Sequence, residues 1–242
     1  MRIQIINPNT TAEMTHRMVD AVRPLAAPGT ELIACTSAFG PPSIEGHYDE
    51  AMSVPGLIEQ IRLGEANGVD GHIIACFGDP GLSAAREVAQ APVIGIAEAA
   101  MHAAAMVATG FSIVTTLGRT KVIARHLVES YGMAGRCYGI HAVEIAVLDL
   151  EANLSDTEER LIDACRRAVA QDECGAIILG CAGMADLVAR VGDSLEVPVI
   201  DGVAAAVKFV EALGGMGLRT SKHGDYAAPL QKSFTAAERL SA

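Results

Sequence analysis

The chain has 242 residues, half of them hydrophobic, and its 18 basic and 29 acidic residues give a net charge of −11. This length allows one large domain or two small ones, each with a buried core. A strongly acidic chain repels phosphate backbones and anionic membrane surfaces, so we expect neither nucleic acid nor a membrane as a partner. The start MRIQIIN is too short for a signal peptide's apolar region, and no apolar run could span a membrane; we expect a cytoplasmic protein.

The six cysteines are expected to be free thiols. A chain of this size in a reducing compartment needs no disulfide staples. The sequence has no CxxC, no HExxH and no close cluster of cysteine and histidine, so it lacks the ligand spacing of a metal site, and we expect no metal. The cysteines are Cys35, Cys76, Cys137, Cys165, Cys174 and Cys181.

Strands and helices alternate along the first part of the chain. RIQIIN predicts a first strand, and apolar residues at helical spacing predict a helix over 13–22. ELIACTSA predicts a second strand, followed by the loop GPPSIEGHYDE, a helix over about 55–67 and the strand HIIAC. Asp79 is a candidate cap for a helix with Pro80 at its first position, and an alanine-rich helix follows the strand PVIGI.

The second part of the chain repeats this scheme. FSIVTT occupies the place of the first strand, a helix over 155–172 begins with a Ser155–Glu158 capping box, and GAIILGC is a second strand ending in cysteine. A PVI strand begins 16 positions after Cys76 and 17 positions after Cys181. This duplication predicts an α/β fold of two similar halves with parallel sheets, residues 1–98 plus 203–242 and residues 99–202.

Cys76 and Cys181 are the candidate catalytic residues. Each follows a buried strand, and ligands of parallel α/β sheets bind at the carboxyl ends of the strands. Two facing halves would bring both thiols to one cleft, where helix starts would lower their pKa and favour the reactive thiolate. The alternative is that both are buried small hydrophobes copied by duplication, which is the expected role of the other four cysteines.

Seven motifs in order resemble the hydantoin racemase family, within the aspartate/glutamate racemase superfamily: NPNTT, GPPSIEG with YDEA, ACFGDPGL, PVIGIAEAA, FSIVTT, LGCAGM and PVIDGV. The resemblance extends from Arg2 to about Ser221. It implies two α/β halves with the active site between them, catalysis without a cofactor, and a pair of cysteines acting as acid and base. Those cysteines match Cys76 and Cys181.

Departures from the wider superfamily indicate a neutral substrate. Glutamate racemases resemble one another in having Asn-Thr after the first cysteine and Thr-His after the second. Here the same positions hold Phe77-Gly78 and Ala182-Gly183, so the groups that would hold an amino acid's charges are missing. A neutral ring with a bulky side chain suits Phe77, which could equally be a core ring.

The expected reaction is racemisation of a 5-monosubstituted hydantoin. One thiolate removes the C5 proton from one face, and the other thiol protonates the enolate on the opposite face. Backbone N–H groups of Phe77, Gly78, Ala182 and Gly183 would stabilise the enolate oxygen. Polar side chains would bind the ring unless they serve only turns and caps. Ser43 is a candidate because it belongs to the family motif GPPSIEG. The loop that contains this motif could instead cap a helix or form a lid. The substrate-binding candidates are Asn9, Ser43, Phe77, Gly78, Thr115, Thr116, Ala182 and Gly183.

Several other functions stay open from the sequence. Allantoin racemase would use the same thiols on a ring with a polar ureido side chain. A two-cysteine lyase or cis-trans isomerase would change the constitution or alkene geometry of its substrate. A non-catalytic binding protein would tolerate alanine at either cysteine. In all cases we expect a small-molecule ligand, and we expect the protein to form a homo-oligomer.

Overall fold

The computed structural model of the protein describes residues 1–233. Over these residues the chain forms eight strands, which lie in two four-stranded sheets. The strands are β1 Arg2–Asn7, β2 Glu31–Thr36, β3 Gly71–Ile74, β4 Val93–Gly95, β5 Phe111–Thr115, β6 Cys137–Ala142, β7 Ile177–Leu179 and β8 Val199–Ile200.

Helices connect these strands, and short 3-10 turns occur between several of them. The α-helices within the described residues are α1 Ala12–Val22, α2 His47–Ala66, α3 Leu82–Val88, α4 Ile96–Val107, α5 Lys121–Ser130, α6 Leu154–Asp172, α7 Val188–Asp193 and α8 Gly202–Gly215.

The two sheets have the same topology. The strand order is β2-β1-β3-β4 in the first sheet and β6-β5-β7-β8 in the second, and all the pairings are parallel. The central strands β1, β3, β5 and β7 are buried almost throughout, as expected for parallel strands covered on both faces. The predicted α/β fold of two similar parallel halves is confirmed.

Helices α4 and α8 pack against each other where the halves meet. Helix α4 also contacts β4, β7 and β8, whereas α8 contacts β3 and β4. A side chain at Gly202, the first residue of α8, would collide with the backbone oxygen of Ile96, so glycine permits this close approach. One apolar cluster contains residues of both sheets, including Ile5, Phe111 and Ile178, and holds the two halves together.

The division of the chain into 1–98 plus 203–242 and 99–202 stays a proposal. The contacts of α8 with β3 and β4 agree with its assignment to the first half. Residues 234–242 of that predicted unit lie outside the described residues.

The starts of helices α2, α3 and α6 differ from the prediction; α3 begins at Leu82 rather than at Pro80. Helix α2 begins at His47 and contains Pro55, so the predicted loop ends at Gly46. Acidic residues in the first turn of α2 favour this earlier start, because they complement the positive end of the helix dipole. Helix α6 is capped by Asn153, whose Oδ1 accepts a hydrogen bond from Asp156 N at 3.4 Å, and Ser155 lies inside the helix. The predicted Ser155–Glu158 capping box is wrong.

Among residues 1–233, no helix combines the length and the apolar character that crossing a membrane requires.

Candidate active site

Cys76 and Cys181 occupy equivalent positions in the two halves. Each lies two residues after the third strand of its sheet, and each is half-buried. The turns that follow are alike: Asp79 N donates to Cys76 O at 3.0 Å, and Met184 N donates to Cys181 O at 3.1 Å. The duplication therefore places one thiol at the carboxyl end of each sheet.

Both thiols open onto one cavity of about 60 Å³, which residues from both halves line. Its wall combines the cysteine turns, the ends of β1 and β5, the start of α2 and one face of α5. The lining residues are Asn9, Met14, Ile44, Glu50, Ala75, Cys76, Phe77, Gly78, Thr115, Thr116, Thr120, Ile123, Ala124, Val147, Gly180, Cys181, Ala182 and Gly183.

Seven of the eight predicted binding residues line this cavity, and the eighth, Ser43, does not; its neighbour Ile44 takes part instead. Their roles toward a substrate stay predictions. Phe77 is 7% exposed and belongs to the apolar core as well as to the cavity wall. The two expectations for its ring, core residue and cavity wall, are therefore compatible.

The polar side chains of the cavity differ in how much of their hydrogen-bonding capacity the protein already uses. Asn9 Oδ1 accepts from Asn7 Nδ2 at 2.8 Å and from Thr11 N at 2.9 Å. Thr115 Oγ1 donates to Gly180 O at 3.2 Å and lies 3.0 Å from Thr120 Oγ1. These contacts stabilise the segments in which Asn9 and Thr115 lie. They leave Asn9 Nδ2, which lies 3.5 Å from Met14 Sδ, as one of the groups that can turn to a ligand.

Burial raises the pKa of both thiols, and the predicted lowering by helix starts is wrong. The pKa of Cys76 rises to about 12, because burial and the charges of Cys181, Asp79 and Glu50 outweigh the Gly78 N–H. The pKa of Cys181 rises to about 11, because burial and the charge of Glu45 outweigh the Gly183 N–H. The N–H groups of Gly78 and Gly183 face the sulfur atoms in this structure. Their predicted role toward a substrate oxygen stays a prediction.

Two carboxylates near the thiols were not singled out from the sequence. Glu50 is in the first turn of α2 and lines the cavity, while Glu45 lies just before this helix and accepts from Val147 N at 2.6 Å. Glu50 Oε2 is 3.6 Å from Nδ1 of the exposed His47. The acidic YDEA motif was the signal for Glu50, but only the fold shows that this helix start covers the cavity.

The charge of the cavity wall has one sign. Among the described residues that line it there is a carboxylate, Glu50, and no lysine, arginine or histidine. Within residues 1–233, no three side chains of histidine, cysteine, aspartate or glutamate are grouped as metal ligands. The wall thus offers hydrogen-bond acceptors to a ligand, and its described lining residues offer no positive charge to a carboxylate.

The sequence model of the family described as Asp/Glu/Hydantoin racemase matches residues 3–210. The chain belongs to this family. Hydantoin racemase of Rhizobium meliloti is 47% identical over 96% of this chain and 97% of its own length. Hydantoin racemase of Pseudomonas sp. (strain NS671) is 46% identical, over 98% and 95% respectively. These relatives place the chain among the racemases of the family.

A solved structure is also closely similar. Allantoin racemase from Klebsiella pneumoniae is 57% identical, with 98% of this chain and 97% of that chain aligned and a TM-score of 0.95. The chain is thus similar to proteins named for two different ring substrates, and the allantoin racemase shares its fold over nearly the whole chain.

Proposed function

We propose that the enzyme racemises neutral hydantoin-type rings at C5, using Cys76 and Cys181 as its two acid-base groups. The observation that carries this proposal is the cavity itself: equivalent thiols from the two halves open onto one space whose charged lining residue is a carboxylate. One residue cannot reach both faces of a planar enolate, whereas two thiols on opposite walls can.

The proposed reaction is a proton exchange between the two faces of the ring. The thiolate of one cysteine takes the C5 proton, and the C–H electron pair delocalises into the neighbouring carbonyl to give an enolate. The thiol of the other cysteine gives its proton to the opposite face of C5 and becomes the thiolate. The net change is inversion at C5, with one proton moved from one sulfur to the other through the substrate, so no electron acceptor is required.

The raised thiol pKa values suit this role. A thiolate with a pKa near 11 is a strong base toward carbon, although little of it exists at neutral pH. Backbone N–H groups of Phe77 and Ala182, which follow the two cysteines, are the donors we assign to the enolate oxygen. A preorganised donor of this kind contributes about 3 kcal/mol to transition-state stabilisation.

The charge of the wall supports a ring substrate over an amino acid. A free amino acid or an N-carbamoyl amino acid carries a carboxylate, which would meet Glu50 as a like charge and would find no cationic lining residue. A hydantoin is neutral, and its ring N–H groups can donate to the Glu50 carboxylate.

Allantoin is the second candidate substrate, since it has the same ring with a ureido group at C5. Two observations favour it: the 57% identity to the allantoin racemase of Klebsiella pneumoniae, and a cavity carboxylate that can accept the ureido N–H groups. Apolar residues of the wall, including Phe77, Ile44 and Ile123, suit the apolar side chains of other hydantoins.

The test is polarimetry on a panel of enantiopure compounds: 5-benzylhydantoin, 5-isobutylhydantoin, allantoin, the matching N-carbamoyl amino acids and free amino acids. We expect loss of optical rotation for one or more of the rings, after subtraction of the uncatalysed rate, and none for the carboxylates. Racemisation of a free amino acid at a comparable rate would contradict the proposal. A product of different constitution would indicate a lyase, and binding without turnover would indicate a binding protein.

The Glu50→Gln variant separates the two ring candidates. Loss of the carboxylate should lower kcat/KM for allantoin more than for 5-benzylhydantoin, because only allantoin has ureido donors. Glu59→Gln is the matched control, since it removes the same charge from the exposed side of the same helix, α2.

A further inference from the structure

The turn after Cys76 contains a buried carboxylate that the second half lacks. Asp79 and Met184 are each three residues after a catalytic cysteine, and each donates its backbone N–H to that cysteine's carbonyl. Asp79 is 4% exposed and Met184 is fully buried. Met184 packs into the apolar core of the second half, whereas the Asp79 side chain makes hydrogen bonds. The turns after the two thiols are therefore similar in backbone, but hydrogen bonds hold the turn after Cys76 and apolar packing holds the turn after Cys181.

The Asp79 carboxylate joins three parts of the structure. Its Oδ1 accepts from Ala97 N at 3.0 Å and its Oδ2 from Glu98 N at 2.9 Å, so it caps α4. The prediction that it caps a helix starting at Pro80 is wrong, since α3 begins only at Leu82. Oδ2 also accepts from the Tyr131 hydroxyl at 2.7 Å, just after α5.

The protein adopts a demanding backbone to place this carboxylate. Asp79 has φ of +44°, in the left-handed region that non-glycine residues rarely occupy. Gly95, at the end of β4, leaves the space that the carboxyl group fills, since a Cβ there would collide with it. Helix α5, to which Tyr131 connects this carboxylate, lines the cavity with Ile123 and Ala124. The carboxylate thus connects the Cys76 turn to a helix of the second half that also lines the cavity.

We propose that Asp79 is a positioning residue for Cys76 and has no such role for Cys181. By holding the turn against α4 and against Tyr131 of the second half, it fixes the distance and direction of the Cys76 sulfur toward C5 of the ring. This inference rests on the proposed two-thiol function. It predicts that loss of the carboxylate impairs proton transfer on one face of the substrate alone.

Removal of the Asp79 charge has an electrostatic effect on Cys76 that is opposite to the effect of lost positioning, so the two effects can be distinguished. The negative charge of Asp79 raises the pKa of the Cys76 thiol. Removing that charge would by itself increase the thiolate of Cys76 and speed proton removal. A slower reaction in the variant therefore reports displaced geometry, since a shift of about 1 Å can cost as much as a hundredfold.

The experiment isolates each thiol with a second substitution. Asp79→Asn is introduced into Cys181→Ala, where only Cys76 can exchange the C5 hydrogen, and into Cys76→Ala, where only Cys181 can. Proton NMR in heavy water follows C5 exchange of each enantiomer of 5-benzylhydantoin and allantoin. We expect a fall of about tenfold or more in the Cys181→Ala background and a change of less than about twofold in the Cys76→Ala background.

Controls separate positioning from loss of a buried acid. Asp201→Asn removes a helix-capping carboxylate of α8, whose Oδ1 accepts from Val203 N, and should leave both backgrounds unchanged. Tyr131→Phe deletes one donor to Asp79 and should reproduce the one-sided loss in weaker form; it decides the question by the same criteria if Asp79→Asn does not fold. Equal losses in both backgrounds, or none in either, would overturn the role of Asp79. Absence of enantiomer-specific exchange in the parent Cys→Ala variants would overturn the two-thiol function together with it.

Discussion

The ionisation of the two thiols gives the sharpest quantitative prediction. With pKa values of about 12 for Cys76 and about 11 for Cys181, no more than about 1 in 1,000 of either thiol is ionised at pH 8. About a quarter of an ordinary thiol with pKa near 8.5 is ionised at that pH. Because the thiolate is the nucleophile, ionisation alone should slow alkylation of both thiols by about 200-fold or more relative to free cysteine.

The assay is alkylation by iodoacetamide between pH 7 and 10, followed by peptide mass spectrometry at each cysteine, with N-acetylcysteine as the reference thiol. Both rates should rise about tenfold per pH unit across this range, because it lies below both pKa values. A plateau below about pH 9 for either thiol, or alkylation as fast as that of N-acetylcysteine, would refute the reasoning.

The neighbouring carboxylates provide an internal check of the cause. Glu50 raises the pKa of Cys76, and Glu45 raises that of Cys181. Glu50→Gln should therefore speed alkylation of Cys76 alone, and Glu45→Gln that of Cys181 alone, while Glu59→Gln should change neither. If both thiols responded equally to either variant, a general opening of the cavity would be the better explanation.

Three further outcomes are expected. Since one thiol must be ionised while the other stays protonated, kcat/KM should rise about tenfold per pH unit from pH 7 to 9, as initial rates by polarimetry would show; a maximum near neutrality contradicts this. Dialysis against EDTA should leave activity intact, and loss restored by a divalent metal contradicts the thiol mechanism. In urea unfolding, Gly95→Ala should lower the free energy of unfolding by about 1–3 kcal/mol, because its new methyl group collides with Asp79. Gly192 has open space around it, so Gly192→Ala should raise the free energy of unfolding by about 0.4–1 kcal/mol. Equal effects of the two substitutions would contradict the packing argument.

The architecture was predictable because its information is local and repeated. Buried parallel strands form short apolar runs, and the two cysteine strands and two PVI strands indicated the duplication directly. The edge strand β6 was not predicted, because its residues are half-exposed and few are strongly apolar. Its position depends on pairing with β5, which a local pattern does not contain.

The site was predictable in composition but not in its electrostatics. Strand ends indicated which residues would gather around Cys76 and Cys181, since the carboxyl ends of parallel strands meet at one edge. The predicted lowering of the thiol pKa values was wrong, since burial raises them. A helix start is a local feature of the sequence, whereas burial depends on how the two halves pack together. Asp79 illustrates the same point: the sequence indicated a nearby cap, and the fold uses it to cap a helix 17 residues farther along.

The central claim is that Cys76 and Cys181 each serve one face of the substrate, and hydrogen exchange in the single variants tests it most directly. Each of Cys76→Ala and Cys181→Ala is mixed with each enantiomer of the ring in heavy water, and the C5 proton is followed by NMR while polarimetry follows configuration. Each variant should exchange the hydrogen of one enantiomer with retention, the two variants should choose opposite enantiomers, and both should lose racemisation by at least about a hundredfold. Racemisation near the wild-type rate in either variant, or equal exchange of both enantiomers by a single cysteine, would contradict the account.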